Sequence, residues 1–86
     1  MLKIQRKANG DVVFTVVGRL ELGNLGELTA LLAVERAARS IVLDLKDLVF
    51  VDREAVRLLL RCEAQGIVLR NCPPYVRVWM DGEEQP

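Results

Sequence analysis

Three apolar runs decide what this chain can fold into. Residues 12–17 read Val-Val-Phe-Thr-Val-Val, residues 41–45 read Ile-Val-Leu-Asp-Leu, and residues 67–70 read Ile-Val-Leu-Arg. Each has the length and β-branched content of a strand. The intervals between them are too long for hairpin turns, and both carry apolar residues at helical spacing. Strand, helix and strand in succession demand parallel pairing through a right-handed crossover. Ahead of the first run, Leu2-Lys3-Ile4-Gln5-Arg6 alternates apolar and polar, and Asn9-Gly10-Asp11 has turn chemistry. The chain therefore begins with an antiparallel hairpin.

The helices have legible limits. After a glycine-containing loop over residues 18–26, a first helix starts near Asn24 or Leu25 and runs to about Ala38, with Leu25, Leu28, Leu31, Leu32 and Glu35 at helical spacing. Asp52 has the character of an N-cap, its carboxylate accepting from free amides of the first turn. The helix it opens runs to about Ala64. Val56, Leu59 and Leu60 face inward, Ala55, Leu58 and Cys62 flank them, and Gly66 follows where a left-handed residue is wanted. Pro73-Pro74 starts a last helix over residues 75–81, stopped by Gly82. The resulting order is β-β-α-β-α-β-α, an α/β fold. Residues 1–82 form a single domain, and residues 83–86 make an unordered tail.

Strand alternation adds an asymmetry. Ile41, Leu43 and Leu45 point one way, Val42 and Asp44 the other; Phe14 and Val16 oppose Val13, Thr15 and Val17. A sheet covered on both faces reads as continuous apolar runs. A mixed four-stranded sheet with helices mainly on one face is expected, leaving the other face to water or a partner.

Composition removes whole classes of function. The 86 residues are 51% hydrophobic, enough for one core but not for a core with a deep substrate pocket. Twelve acidic residues balance twelve basic ones, so the excess of a nucleic-acid or membrane-surface binder is absent. Residues 1–4 carry no apolar run of secretory length, and none spans a bilayer. Cys62 and Cys72 have neither disulfide-framework nor metal-ligand spacing, which fits reduced thiols in a cytoplasm. There is no histidine, so no Ser-His or Cys-His pair can be assembled. No cofactor or metal is expected.

Four constellations remain. Gly23-Asn24-Leu25-Gly26 precedes a helix without a phosphate-binding signature. Asp44 on the third strand, Asp47 in the turn after it and Asp52 at a cap are the types that hold a metal or act as acid and base, but without histidine or a phosphate site they read as one cap and two solvated turn residues. Arg53, Arg57 and Arg61 recur every four residues along one helix face, with Glu54 in pairing distance of Arg57. They form either a solvated face or a docking ridge for an acidic partner. Tyr75 and Trp79 stand four apart beside Val76 and Met80, a pattern that more often closes a core than forms a binding patch, with exposure of Trp79 deciding between them.

The stretch Ile41-Val42-Leu43-Asp44-Leu45 followed by Phe50-Val51-Asp52-Arg53-Glu54-Ala55-Val56-Arg57-Leu58-Leu59 resembles the centre of a STAS domain, the fold of bacterial anti-sigma factor antagonists and of the cytoplasmic tails of anion transporters. Gly18-Arg19-Leu20-Glu21 is similar to the family's Gly-x-Leu-Asp. Asn71-Cys72-Pro73-Pro74-Tyr75-Val76-Arg77 is similar to its Pro-x-Val-Arg. The resemblance runs from about Leu2 to Asp81 in the right order.

The departures are informative. The family is switched by phosphorylation of a hydroxyl just after the aspartate, where this chain has Arg53 and Glu54. Ala55 replaces the family's glycine, Glu21 its aspartate, and the family's usual last strand and long helix do not follow. Glu54 places a permanent negative charge where a helix N-terminus favours phosphate. It either imitates the phosphorylated state or reflects drift at an unused switch.

The resemblance implies a non-enzymatic protein-interaction module of the anti-sigma factor antagonist kind, not regulated by phosphorylation at the usual place. The surface expected to bind comprises Glu21, Asn24, Asp52, Arg53, Glu54, Arg57 and Arg61. The implied partner is an anti-sigma factor kinase or a transporter component, with no nucleic acid and no membrane insertion. Two rivals stand beside it. A small-molecule sensor or transport-accessory subunit requires an apolar cavity near the helix starts. A self-associating structural module requires homodimer pairing through the open face or an unprotected edge.

Overall fold

Gly10 turns the chain back on itself at a φ of 85°, where L residues are strained. It joins β1 (Leu2–Asn9) to β2 (Asp11–Leu20) as an antiparallel hairpin, with Ile4 opposite Val16 and Arg6 opposite Phe14. The computed structural model describes residues 1–35 and 40–84. β3 (Ile41–Asp44) pairs in parallel with the first half of β2, Phe14 lying opposite Leu43. β5 (Val68–Arg70) pairs in parallel with β3.

The expected four strands become five. Leu48–Val51 forms β4, parallel to the second half of β2, so that β3 and β4 share one edge of β2 in succession. The turn at Lys46-Asp47 hides this strand in the sequence, and so does a bulge. Gly18 pairs with Leu48 but Arg19 with Phe50, leaving Val49 as the extra residue. Leu48 and Val51 are buried while Val49 and Phe50 are not, so the period-two signal is erased.

Helix α1 (Leu25–Val34), helix α2 (Arg53–Ala64) and helix α3 (Pro74–Glu84) complete the fold. The expected end of the first helix near Ala38 lies outside the described residues. Phe14, Val16 and Leu43 from the strands form one cluster with Leu28 of α1, Val56 and Leu59 of α2, and Val76 and Met80 of α3, all fully buried. The three helices thus share the same side of the sheet. On the opposite side Val13, Thr15 and Val17 remain half-exposed. Each fully buried aliphatic of the cluster contributes about 1.5–3 kcal/mol relative to exposure.

The helices depart from expectation in detail. Leu60 is half-buried rather than inward-facing; Ala55 and Leu58 take its place in the core. Leu31 of α1 is exposed, because only Leu28 reaches full burial on that helix. Gly82 does not stop α3, which continues to Glu84, so Glu83 and Glu84 belong to the helix rather than to a tail. An interior glycine costs a helix about 1 kcal/mol. Anchoring of Glu83 by two arginines favours the continuation nonetheless.

α2 and α3 run antiparallel. Glu63 and Arg77 join one end through two hydrogen bonds of 3.0 and 3.1 Å, which lower the Glu63 carboxyl from its ordinary value. Glu83 joins the other end. The Tyr75 hydroxyl of α3 donates to the Val49 carbonyl of β4 at 3.2 Å. The aromatics do not close the core. Val76 and Met80 do so, while Tyr75 and Trp79 stay 49% and 36% exposed.

Candidate functional site

The N-terminus of α2 sits where β4 leaves the sheet, one residue beyond Val51. Asp52 has extended backbone geometry, and its Oδ1 accepts from the Ala55 amide at 2.9 Å, the expected cap. Its Oδ2 does something the sequence does not announce. It accepts from the Leu22 amide at 2.8 Å, tying the loop after β2 to the first turn of α2. One carboxylate therefore holds two segments that are thirty positions apart.

The loop is folded by its own asparagine. Asn24 Oδ1 accepts from the Glu21 amide and Asn24 Nδ2 donates to the Arg19 carbonyl, both at 2.9 Å, around a single 3-10 turn at Leu22–Asn24. Glu21 pairs with Arg19 at 3.3 Å, and the Arg19 guanidinium also stacks on Phe50 at 4.3 Å from the ring centre. Asn24 and Asp52 thus shape the surface, and their polar atoms are already engaged.

Arg53 and Glu54 open α2 in the positions where the resemblance implies hydroxyls. A cation at a helix N-terminus opposes the helix dipole. Here Glu83, from the end of α3, approaches both Arg53 (3.6 Å) and Arg57 (3.3 Å), and Arg57 also reaches Glu54 at 3.3 Å. The two arginines and Glu54 remain largely in contact with water while the Glu83 side chain is 18% exposed, and surface pairs of this kind are each worth about 1 kcal/mol or less. The arginine ridge is divided. Arg53 and Arg57 share Glu83, whereas Arg61 stands exposed farther along, bordering a cleft.

That cleft, about 530 Å³, lies between the C-terminal halves of α1 and α2 and not at the helix starts. Thr29, Leu32, Leu58, Arg61 and Cys62 are among its walls. Burial pushes the Cys62 thiol up against the opposing charge of Arg61, and burial likewise raises Cys72. Both thiols are free, and raised thiols hold little thiolate at neutral pH.

Of the predicted site residues, the structure brings Glu21, Asn24, Asp52, Arg53, Glu54 and Arg57 to one end of the molecule and leaves Arg61 apart. The three aspartates do not converge. Asp44 accepts from the Lys46 amide and from Asn71, while Asp52 caps α2. Among the described residues no cluster of three metal-ligating side chains occurs, and no helix is long and apolar enough to cross a membrane. Sequence reading missed Glu83, and also the exposed apolar rim at the edge of β4, with Val49 and Tyr75 in contact and Phe50 beneath Arg19.

By sequence the chain matches no family profile and no curated protein. Its fold does have known counterparts. The anti-sigma factor antagonist SpoIIAA in its unphosphorylated form superposes with a TM-score of 0.70 at 21% identity, over 94% of this chain and 82% of that one. A protein crystallised under the name Mglu gives 0.63 at 20% identity, over 84% of this chain but 19% of that much longer one. An uncharacterised protein from Shewanella loihica with a SpoIIAA-like fold gives 0.54 at 17% identity, over 74% of this chain and 57% of that one. The fold is STAS-like, as the sequence resemblance implied, with a five-stranded mixed sheet.

Proposed function

We propose that the chain is a non-enzymatic protein-interaction module of the anti-sigma factor antagonist kind. Its contact surface is the start of α2 with the loop fastened to it. One observation carries this reading: the two oxygens of Asp52 hold Leu22 and Ala55 at once, so the loop and the first turn of α2 are presented as one rigid surface. A surface ordered before binding loses less entropy on association. The likeness to SpoIIAA supports a partner of the anti-sigma factor class.

The chemistry of the surface argues against the usual switch. The side-chain hydroxyls of the chain belong to Thr15, Thr29, Ser40 and Tyr75, and none lies in residues 21–24 or 52–57. Control of binding then rests with the partner. The cleft location disfavours the small-molecule reading, which requires its cavity beside the helix starts.

The test uses the chain as bait, followed by titration of the captured protein against wild type and the Arg53→Ala, Glu54→Ala double variant. Both side chains are exposed or half-exposed, so the variant should fold normally. Hot-spot side chains typically cost 2 kcal/mol or more on truncation, so affinity is expected to fall roughly thirtyfold. Unchanged affinity would remove this surface from the account.

A further inference from the structure

The sheet has three edges, and they are not treated alike. β5 is only three residues long. The free edge of β4 is met by α3, with the Tyr75 hydroxyl on the Val49 carbonyl. β1 is eight residues long, lies at the end of the strand order, and pairs on one side only. Among the described residues no other segment hydrogen-bonds to its outer edge. A strand of this length with free amides and carbonyls is a template for another strand.

Its side chains specify which strand. Lys3 and Lys7 project on the open face, with Gln5 between them, and their cross-strand neighbours on β2 are Val17 and Val13. No acidic side chain stands opposite either lysine on β2, and no salt bridge is formed by either among the described residues. On the helix side, Leu2 and Ile4 pack against the core but are only half-buried, and Arg6 is already paired with Glu35 of the α1 end. An added strand lies about 4.8 Å away. Aliphatic side chains on its inner face would finish covering Leu2 and Ile4, and acidic ones on its outer face would meet Lys3 and Lys7.

A second copy of the chain fits badly. In the two antiparallel registers that keep both open faces on one side and overlap residues 2–8 or 3–9 of β1, either Lys3 of each copy faces Lys7 of the other or Arg6 faces Arg6. Like charges directly opposite destabilise a strand pair.

We infer that the β1 edge is a strand-addition site for an extended segment that alternates acidic and aliphatic residues. The site is independent of the α2 surface, and the two can fail separately. Two synthetic peptides of about ten residues, alternating Glu with Val and Lys with Val, serve as probes of strand addition. The Glu-Val peptide should shift the backbone amide resonances of residues 2–8 and slow their hydrogen exchange. The Lys-Val peptide should leave them unchanged. The double variant Lys3→Glu, Lys7→Glu should lower affinity for the Glu-Val peptide at least about tenfold and bind the Lys-Val peptide instead.

Equal binding of both peptides would overturn the proposal, as would undisturbed β1 amides. Shifts confined to Arg53 and Arg57 would overturn it too, because the acidic peptide would then be reading the helix surface. Concentration-dependent dimerisation with β1 protected in the free protein would show that the edge serves self-association and would equally overturn it.

Discussion

Replacing Asp52 by Ala should cost about 2–3 kcal/mol of stability and lower the melting temperature by roughly 10–20 °C. The cost has two sources. Loss of an N-cap costs about 1 kcal/mol, and a hydrogen bond from an amide to a charged carboxylate adds about 1.5 kcal/mol or more. The first belongs to the bond with Ala55 and the second to the bond with Leu22. Asp52→Asn keeps one acceptor oxygen and loses the other, so it should fall near half the effect. Urea unfolding of both variants checks this. A loss below about 0.5 kcal/mol for Asp52→Ala would mean that the loop is held by something else. Because the loop is part of the proposed contact surface, the same variant should also release residues 21–24 to faster hydrogen exchange.

Gly18→Ala should be at least as damaging, about 3 kcal/mol, for reasons of shape rather than charge. Gly18 has a φ of 100°, and a Cβ there would overlap the Met1 carbonyl oxygen, a backbone atom. That oxygen accepts from the Arg19 amide at 3.1 Å, while the Gly18 amide donates to the Asp47 carbonyl at 3.1 Å. Relieving the overlap therefore disturbs the bulge that joins β2 to β4 and sends the chain toward α2. Gly10 provides the internal control. It too has positive φ, at 85°, but open space surrounds the place of its Cβ. Gly10→Ala should cost about 1 kcal/mol, the backbone strain alone. Equal effects at the two positions, measured by thermal unfolding, would contradict the crowding argument.

What the sequence disclosed follows from range. The cap at Asp52, the turn at Gly10 and the left-handed position at Gly66 depend on residues close in the chain, and local chemistry announces them. The burial of Val56, Leu59 and Cys62 follows from period alone. The resemblance recovered the fold because the motifs stand in order along nearly the whole chain. β4 escaped because the bulge at Val49 breaks the alternation on which strand reading rests.

The candidate site was legible residue by residue but not as an arrangement. The spacing of Arg53 and Arg57 placed them on one face, yet nothing nearby in sequence pointed to Glu83, which comes from the next helix. Tyr75 looked like core because its neighbours Val76 and Met80 are core; the partner of its hydroxyl lies on a strand the alternation concealed. Asp52 was read as a cap, and its second bond, to Leu22, became visible only once two distant segments met.

The most direct test of the account is the hydrogen-exchange footprint of the chain in complex with the protein it captures, together with the phosphate content of the bound chain. Protection is expected at residues 21–24 and 52–57, with full binding and no phosphate on Thr15, Thr29, Ser40 or Tyr75. Protection confined to the open sheet face, or binding that rises and falls with phosphate on one of those hydroxyls, would contradict it.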